Sequence, residues 1–366
     1  MKFTVSQSAL QQALQVVAKG MGANSTIPIL SGIYVRATEG TLEFQTNNLT
    51  ISIRHLIPAN VEEPGETVVS GKVLTSIVKT LSDAAVTFEG DERLLTITCE
   101  KSRFTLNTLS PRDWAAFPEY DLDQTIELPS QLLSEMVDKV YRVTSREATR
   151  PILQGILLTV EDNTIRLVST DSFRLAVTDS SVECPEGESF RAIVPGTVFH
   201  DVLTMPGLDE RIQIGVTQSQ VVFSFGTTTF VSRRIEGNFP NYKQLLPAKC
   251  NTAVEMDRET FAAALKRVSV IALNNASVRF DIDADGKFVR LSASSPEQGE
   301  SSELVPAEVD GRSLSTGMNY HYVFDCVNAI AGTKTMRLEF LSGEQPSLFK
   351  ANGRINYLYI LMPVRI

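Results

Sequence analysis

The chain has 366 residues, of which 43% are hydrophobic, enough for two or three domains of roughly 100–200 residues each. No apolar run approaches the roughly 18 residues of a membrane span, and the opening Met1-Lys2-Phe3-Thr4-Val5 lacks the apolar segment of an export signal. The formal net charge of −9 has the wrong sign for a conventional DNA-binding domain, whose phosphate contacts demand a basic surface, unless positive charge is confined to one face and outweighed elsewhere.

From the N-terminus, the first helical pattern places Leu10, Ala13, Leu14 and Val17 on one face. Thr26-Ile27-Pro28-Ile29-Leu30-Ser31-Gly32-Ile33 follows, then a second helix with Val73, Leu74, Ile77, Val78 and Leu81, then the marker Phe117-Pro118-Glu119-Tyr120. The pattern then restarts. Ser130 to Arg142 reads as an amphipathic helix with Leu132, Leu133, Met136, Val137, Val140 and Tyr141 on one face, and Ser130 is expected to cap it by accepting a bond from a first-turn amide. Thr149-Arg150-Pro151-Ile152-Leu153-Gln154-Gly155-Ile156 matches the earlier segment at six of eight positions, 123 residues on. Strands are predicted at Ile152 to Val160, Ile165 to Val168, Leu175 to Thr178 and Arg191 to Val194, with a helix from about Thr197 to Met205. Further strands span Ile212 to Val216, Gln220 to Phe225 and Thr229 to Arg233. Phe239-Pro240-Asn241-Tyr242 repeats the marker at a spacing of 122, and Met362-Pro363 places a proline 123 beyond Pro240. A third pair of helical runs carries Phe261, Ala264, Leu265 and Val268, then Val323, Phe324, Val327 and Ile330. Several markers at one spacing define three homologous domains, 1–124, 125–250 and 251–366. Each holds two helix-plus-antiparallel-sheet half-units, which makes the chain α+β with two-layer domains.

Lys19, Lys72, Lys79, Lys139, Arg142, Lys266 and Arg267 lie on or just beyond helical runs, off the apolar stripe. Acidic residues are denser in turns and strand ends, such as Glu183/Glu186/Glu188 and Glu297/Glu300/Glu303. Basic helices with acidic edges suit a DNA-facing lining and an acidic exterior. Enzyme chemistry finds no foothold. His55, His200 and His321 have no metal-ligand spacing, and Asp171 with Arg174 reads as a structural ion pair. Gly65 to Lys72 (GETVVSGK) has five residues between its glycines and Val73 where a phosphate loop needs Ser or Thr. Cys99, Cys184, Cys250 and Cys326 are scattered without a C-x-x-C pair, so no disulfide framework is expected and a reducing cytoplasm is the natural compartment. The glycosylation-type triplets at Asn48 and Asn275 carry no weight there. No catalytic residue, metal or cofactor is expected.

With three repeats of paired half-units in view, the chain resembles the bacterial sliding clamp family, the β subunit of DNA polymerase III. The likeness is carried by Met1-Lys2-Phe3-Thr4-Val5, Pro28-Ile29-Leu30, and Thr170-Asp171-Ser172-Phe173-Arg174-Leu175-Ala176. It continues through Gly237-Asn238-Phe239-Pro240-Asn241-Tyr242, Ser295-Pro296-Glu297-Gln298 and Met362-Pro363-Val364-Arg365-Ile366. The resemblance implies a head-to-tail homodimer closing into a ring around double-stranded DNA, with Lys19, Asn24, Lys72, Lys79, Lys139, Arg142, Lys266 and Arg267 facing the duplex without reading its sequence. Asn24 replaces a loop Arg of some relatives, so its DNA contact is expected to be weaker or absent. Across the joint, Phe104 and Leu106 are expected to meet Val270 and Ile271 of the partner, with Lys72 near Glu297, Glu300 and Glu303.

The resemblance also implies a pocket for short peptide motifs of the replicative polymerase, clamp loader and repair proteins. One part would be Leu153, Thr170, Ser172, Phe173, Arg174, Leu175, Pro240, Leu245, Ile360 and Met362; the other Arg150, Ile152, Asn319, Tyr322, Pro346, Val364 and Arg365. Phe173 stands where His is common in the family, Ile152 where Tyr is frequent, and Gln244 where a basic residue often sits. Two other readings remain open: a scaffold of the same fold that does not encircle DNA, and an enzyme acting on DNA ends.

Overall fold

The computed structural model describes residues 1–22, 26–91, 93–183, 189–247, 249–272 and 276–365. Asn24, Cys184, Glu186, Glu188, Asn275 and Ile366 lie outside the described residues. Among those described are six α-helices: α1 (Gln7–Val17), α2 (Gly71–Thr80), α3 (Ser130–Val140), α4 (Gly196–Leu203), α5 (Arg258–Val268) and α6 (Tyr320–Ala329). Each follows a strand without a loop, in order Lys2–Ser6, Gly65–Ser70, Gln124–Pro129, Phe190–Pro195, Thr252–Asp257 and Leu314–Asn319. A polar residue at the end of the strand makes three of these switches. Ser6, Asp257 and Asn319 accept hydrogen bonds from the amides of Ala9, Thr260 and His321 at 3.3, 2.8 and 3.0 Å, satisfying donors that a helix start leaves open.

The pairing repeats three times. The strand leading into the first helix of each repeat pairs with a strand that follows the second: Lys2–Ser6 with Ala85–Gly90, Gln124–Pro129 with Arg211–Val216, Thr252–Asp257 with Thr335–Phe340. Conversely, Gly65–Ser70, Phe190–Pro195 and Leu314–Asn319 pair with Gly32–Thr38, Gly155–Glu161 and Ser277–Asp283. The helical stripes are core. Leu10, Ala13, Leu14 and Val17 of α1, Leu132, Leu133, Met136, Val137 and Val140 of α3, and Phe261, Ala264, Leu265 and Val268 of α5 are all buried. Removing the Leu, Val, Met and Phe side chains among them from water stabilises the fold by roughly 1.5–3 kcal/mol each.

The chain divides into two compact units, Met1–Ser134 with Val198–Arg234, and Glu135–Thr197 with Ile235–Ile366. Among the described residues, the first unit holds one sheet of thirteen strands, in which Ile51–Pro58 of the first repeat pairs with Thr228–Arg233 of the second. The second unit holds a nine-stranded sheet, in which Arg174–Ser181 of the second repeat pairs with Asn356–Leu361 of the third. It also holds a four-stranded sheet with Gly299–Pro306 at one edge. Consecutive repeats are thus stitched by antiparallel strand pairs.

Some local expectations change. Pro151–Gln154 is a 3-10 turn and the strand starts only at Gly155, because Pro151 fixes a helical φ and leaves no amide for a ladder. Ser130 is already the first residue of α3, and its Oγ is buried without a hydrogen-bond partner; its backbone N–H donates to the Glu210 carbonyl instead. Val73 is 42% exposed while Leu74 and Val78 are buried, since the inward face of α2 recurs at positions four apart. The glycine segment from Gly65 is a strand running into α2, not a phosphate-binding loop.

Candidate peptide-docking site

The turn Thr170 to Arg174 joins strands Thr164–Thr170 and Arg174–Ser181. Asp171 Oδ1 accepts from the amides of Phe173 and Arg174 at 2.9 and 3.0 Å, and Thr170 Oγ1 accepts from the Ser172 amide at 3.2 Å. This closed turn holds Ser172 in the left-handed region, φ 79°. It leaves Phe173 54% exposed. Arg150, pinned by Glu147, donates from Nη1 to Ser172 Oγ at 2.8 Å. On the other side the Met362 amide donates to the Phe173 carbonyl at 2.9 Å, and Leu175 lies opposite Ile360.

Below the turn is an apolar floor. Leu175 and Ile360 are buried with Leu157, Val168, Val177, Ile193, Phe239 and Leu348, and Ile152, Tyr242 and Leu246 pack against that cluster. Leu153 and Thr170 are buried as well. The expected residues therefore separate into floor and rim. Phe173, Leu245 and Met362 are large apolar side chains 45–56% exposed, and Pro240 is exposed on the segment that carries Leu245. Pro346 precedes Ser347, which pairs with Leu361 beside Met362.

The second group of expected residues is dispersed. Arg150 joins Ser172, whereas Tyr322 lies under Arg174 with its ring centroid 4.2 Å from the guanidinium carbon. Asn319 caps α6. The Val364 amide donates to the Gly317 carbonyl at 2.9 Å. Val364 and Arg365 line a cavity of about 720 Å³ with Ser277, Arg279, Ser292 and Ser302.

Arg174 is 8% exposed. Its Nε donates to Asp171 Oδ2 at 2.9 Å, its Nη1 to Asp325 Oδ2 at 2.6 Å and to the Tyr359 hydroxyl at 3.4 Å, and its Nη2 to the Arg142 carbonyl at 2.7 Å. Burial opposes the charge, but the Tyr359 hydroxyl and the Asp325 and Asp171 carboxylates outweigh it and raise the guanidinium above its ordinary range. The expected ion pair is present and larger than the sequence indicated. Asp325 on α6 was missed, because nothing in its local pattern points 151 residues back to Arg174.

The basic helix residues divide. Lys72, Lys79, Arg142 and Lys266 are exposed. Lys19 is exposed but bonded to Asp201 at 3.0 Å. Arg267 is held by Glu303, its Nε 2.9 Å from Oε2. Lys139 departs from the solvent-facing expectation: it is half-buried, its ammonium donating to the Ala329 carbonyl, because a long flexible stem lets the charge fold back toward a helix end.

At the expected joint, Phe104 and Leu106 are half-buried on the strand Ser102–Leu109, Val270 is 58% exposed, and Ile271 is half-buried. Glu297 and Glu300 are exposed, whereas Glu303 is engaged by Arg267, whose hydrogen bond holds the carboxyl below its ordinary range. Leu304, 53% exposed on the edge strand Gly299–Pro306, was missed; the one signal was an apolar residue directly after Glu303 in a polar run.

Comparison with known proteins covers the whole chain. Family models for the DNA polymerase III beta subunit match at residues 1–119 (N-terminal domain), 127–241 (central domain) and 243–365 (C-terminal domain). The chain is similar to the beta sliding clamps of Bacillus subtilis and Synechococcus elongatus, each 28% identical with 100% of both chains covered. Among solved structures it is similar to the Bacillus subtilis DNA polymerase sliding clamp, TM-score 0.93 at 28% identity, covering 100% of this chain and 99% of that one. A Pseudomonas aeruginosa sliding clamp bound to griselimycin gives TM-score 0.93 at 27% identity, with 100% of both chains covered.

Proposed function

The chain belongs to the DNA polymerase III beta subunit family, and from that premise we propose how it works as a sliding clamp, a non-catalytic processivity factor. The observation that carries the reading is a pair of unfinished strand edges. In the first and second repeats, Ile51–Pro58 and Arg174–Ser181 each gain a strand from the following repeat. The third-repeat counterpart, Gly299–Pro306, is an edge. The strands that complete those joints, Thr228–Arg233 and Asn356–Leu361, correspond in the first repeat to Ser102–Leu109. That strand pairs with Leu94–Cys99 along one side, and with Gly65–Ser70 only at Thr108 and Leu109. Each copy thus ends in one half of a joint and begins with the other. A second copy supplies both, head to tail, and the ring closes with the backbone groups of these two strands paired across the joint.

Closure around duplex DNA gives retention by topology, while non-specific charge permits sliding; base-specific contacts would oppose it. Arg142, Lys72, Lys79 and Lys266 supply the exposed positive charge, and the net charge of −9 keeps the remainder from adhering to phosphate. Phe173, Leu245, Pro240 and Met362 form an apolar rim over a buried floor, a surface suited to a short linear motif of a polymerase, clamp loader or repair protein. The domains of this reading are 1–124, 125–250 and 251–366, and its compartment is the cytoplasm.

The test is retention on DNA. Protein assembled on nicked circular duplex by a clamp loader is expected to survive gel filtration at 0.5 M salt, and to be lost once the circle is cut. Loss from circle and linear DNA alike at high salt would favour the scaffold reading.

A further inference from the structure

The turn beside the rim occurs twice in the chain, and the two copies differ in one informative respect. In the first repeat Asn48 Oδ1 accepts from the amides of Thr50 and Ile51 at 3.1 and 2.8 Å, and Asn47 Oδ1 accepts from the Leu49 amide at 2.7 Å. Asp171 and Thr170 make the same bonds to Phe173, Arg174 and Ser172. Leu49 and Ser172 share the left-handed backbone, φ 73° and 79°. In both copies the adjoining strand closes on the turn, Arg233 N donating to Thr50 O and Met362 N to Phe173 O. Local side-chain-to-backbone bonds therefore build the turn. The residue in the place of Arg174 in the first copy is Ile51, which carries no charge.

The guanidinium is thus not required to make the turn. Burying a cation is unfavourable before its partners are counted. One partner, Asp171, belongs to the turn itself; the others lead away from it: to Asp325 and Tyr322 on α6, and to the carbonyl of Arg142, in the single turn Tyr141–Val143 that continues α3. One rigid fork ties the segment presenting Phe173 to the segment presenting Arg142.

We propose that Arg174 couples the docking rim to the DNA-facing end of α3, so that a partner peptide and duplex DNA each strengthen the other's binding. This rests on the rim and the duplex contact proposed above. With the fork closed, both segments are held in one arrangement. With it open, each can shift by itself. A peptide on Phe173 and phosphates at Arg142 both favour the closed arrangement, so either ligand removes part of the other's ordering cost. Linkage makes the effect reciprocal.

The test titrates a labelled C-terminal peptide of the cognate replicative polymerase against the dimer, with and without saturating short linear duplex at low salt. Wild type is expected to bind the peptide at least threefold more tightly with duplex present. In Arg174→Ile, the residue the first repeat accepts at this place, the two affinities are expected to be equal, whatever their absolute value. Asp325→Asn, which keeps the shape and the fork's bonds to Asp171, Tyr359 and the Arg142 carbonyl, is expected to reduce the ratio and serves if the Ile variant does not fold. A wild-type ratio of one or less, or a ratio that survives in a folded Arg174→Ile dimer, overturns the coupling. Absence of any peptide binding to wild type would remove the docking reading along with it.

Discussion

Lys139 lies off the apolar stripe of α3, where a helical pattern predicts solvent, yet its ammonium turns inward to the Ala329 carbonyl and lies 5.7 Å from the Tyr357 ring centroid. Burial lowers its pKa, against the opposing pull of Glu135 and Cys326. Lys139→Met is therefore expected to leave the salt dependence of duplex binding unchanged. Reversing Arg142 and Lys266 to Glu is expected to lower the slope by roughly one unit per lost phosphate contact. Affinity for a short duplex measured from 50 to 200 mM salt decides between them; a lower slope in Lys139→Met would return that residue to the DNA side. His55 offers a second check. Its Nδ1 is 2.8 Å from Thr228 Oγ1, and burial lowers its pKa from 6.5. The folded chain then binds fewer protons than the unfolded chain just below that pH, so stability falls as pH drops through 6.5 and is regained on raising it. Melting curves between pH 7 and 5 should show this loss reduced in His55→Gln.

The proposed docking rim is where element-level expectation and structure differ in a testable way. Leu175 belongs to the floor and is 2% exposed, so Leu175→Ala would remove core packing worth about 2–5 kcal/mol and confound any binding measurement. Leu245→Ala with Met362→Ala leaves the core intact. Truncating exposed anchors of this kind commonly removes about 2 kcal/mol, some thirtyfold in affinity. A titration of the double variant with a labelled polymerase peptide should show that loss at unchanged melting temperature; full affinity would place the site elsewhere. The six helices and the strands of the second repeat beyond α3 were legible because period 3.6 survives in residues such as Leu132, Leu133, Met136 and Val137, and period 2 in Ile212, Ile214 and Val216. The boundary at Gly155 was not, since Ile152 and Leu153 suit a strand or a turn equally. The ties of Arg174 to Arg142, Asp325 and Tyr359 were not legible either. Such partners meet only after distant strands pair, and a single sequence holds no record of that.

For the molecule as a whole, the unfinished edges at Ser102–Leu109 and Gly299–Pro306 make assembly the decisive measurement. Val270 and Leu304 are 58% and 53% exposed near the second of these. Val270→Glu with Ile271→Glu is expected to give folded monomers, because an unpaired charge buried in the joint costs several kcal/mol. Light scattering should report the mass of one chain; an unchanged dimer would move the joint away from this turn. The strand pairs that stitch successive repeats have a consequence during synthesis. Thr228 is made 173 residues after His55, its partner, and Leu361 is made 187 residues after Arg174. At about 5–20 residues per second, the Ile51–Pro58 edge waits on the ribosome for roughly 9–35 s before its neighbour exists. The nascent chain therefore passes through two intervals in which a half-made sheet is open to the wrong strand. A holding chaperone would act in those intervals, whereas at the proposed joint the last edge waits on the concentration of finished chains.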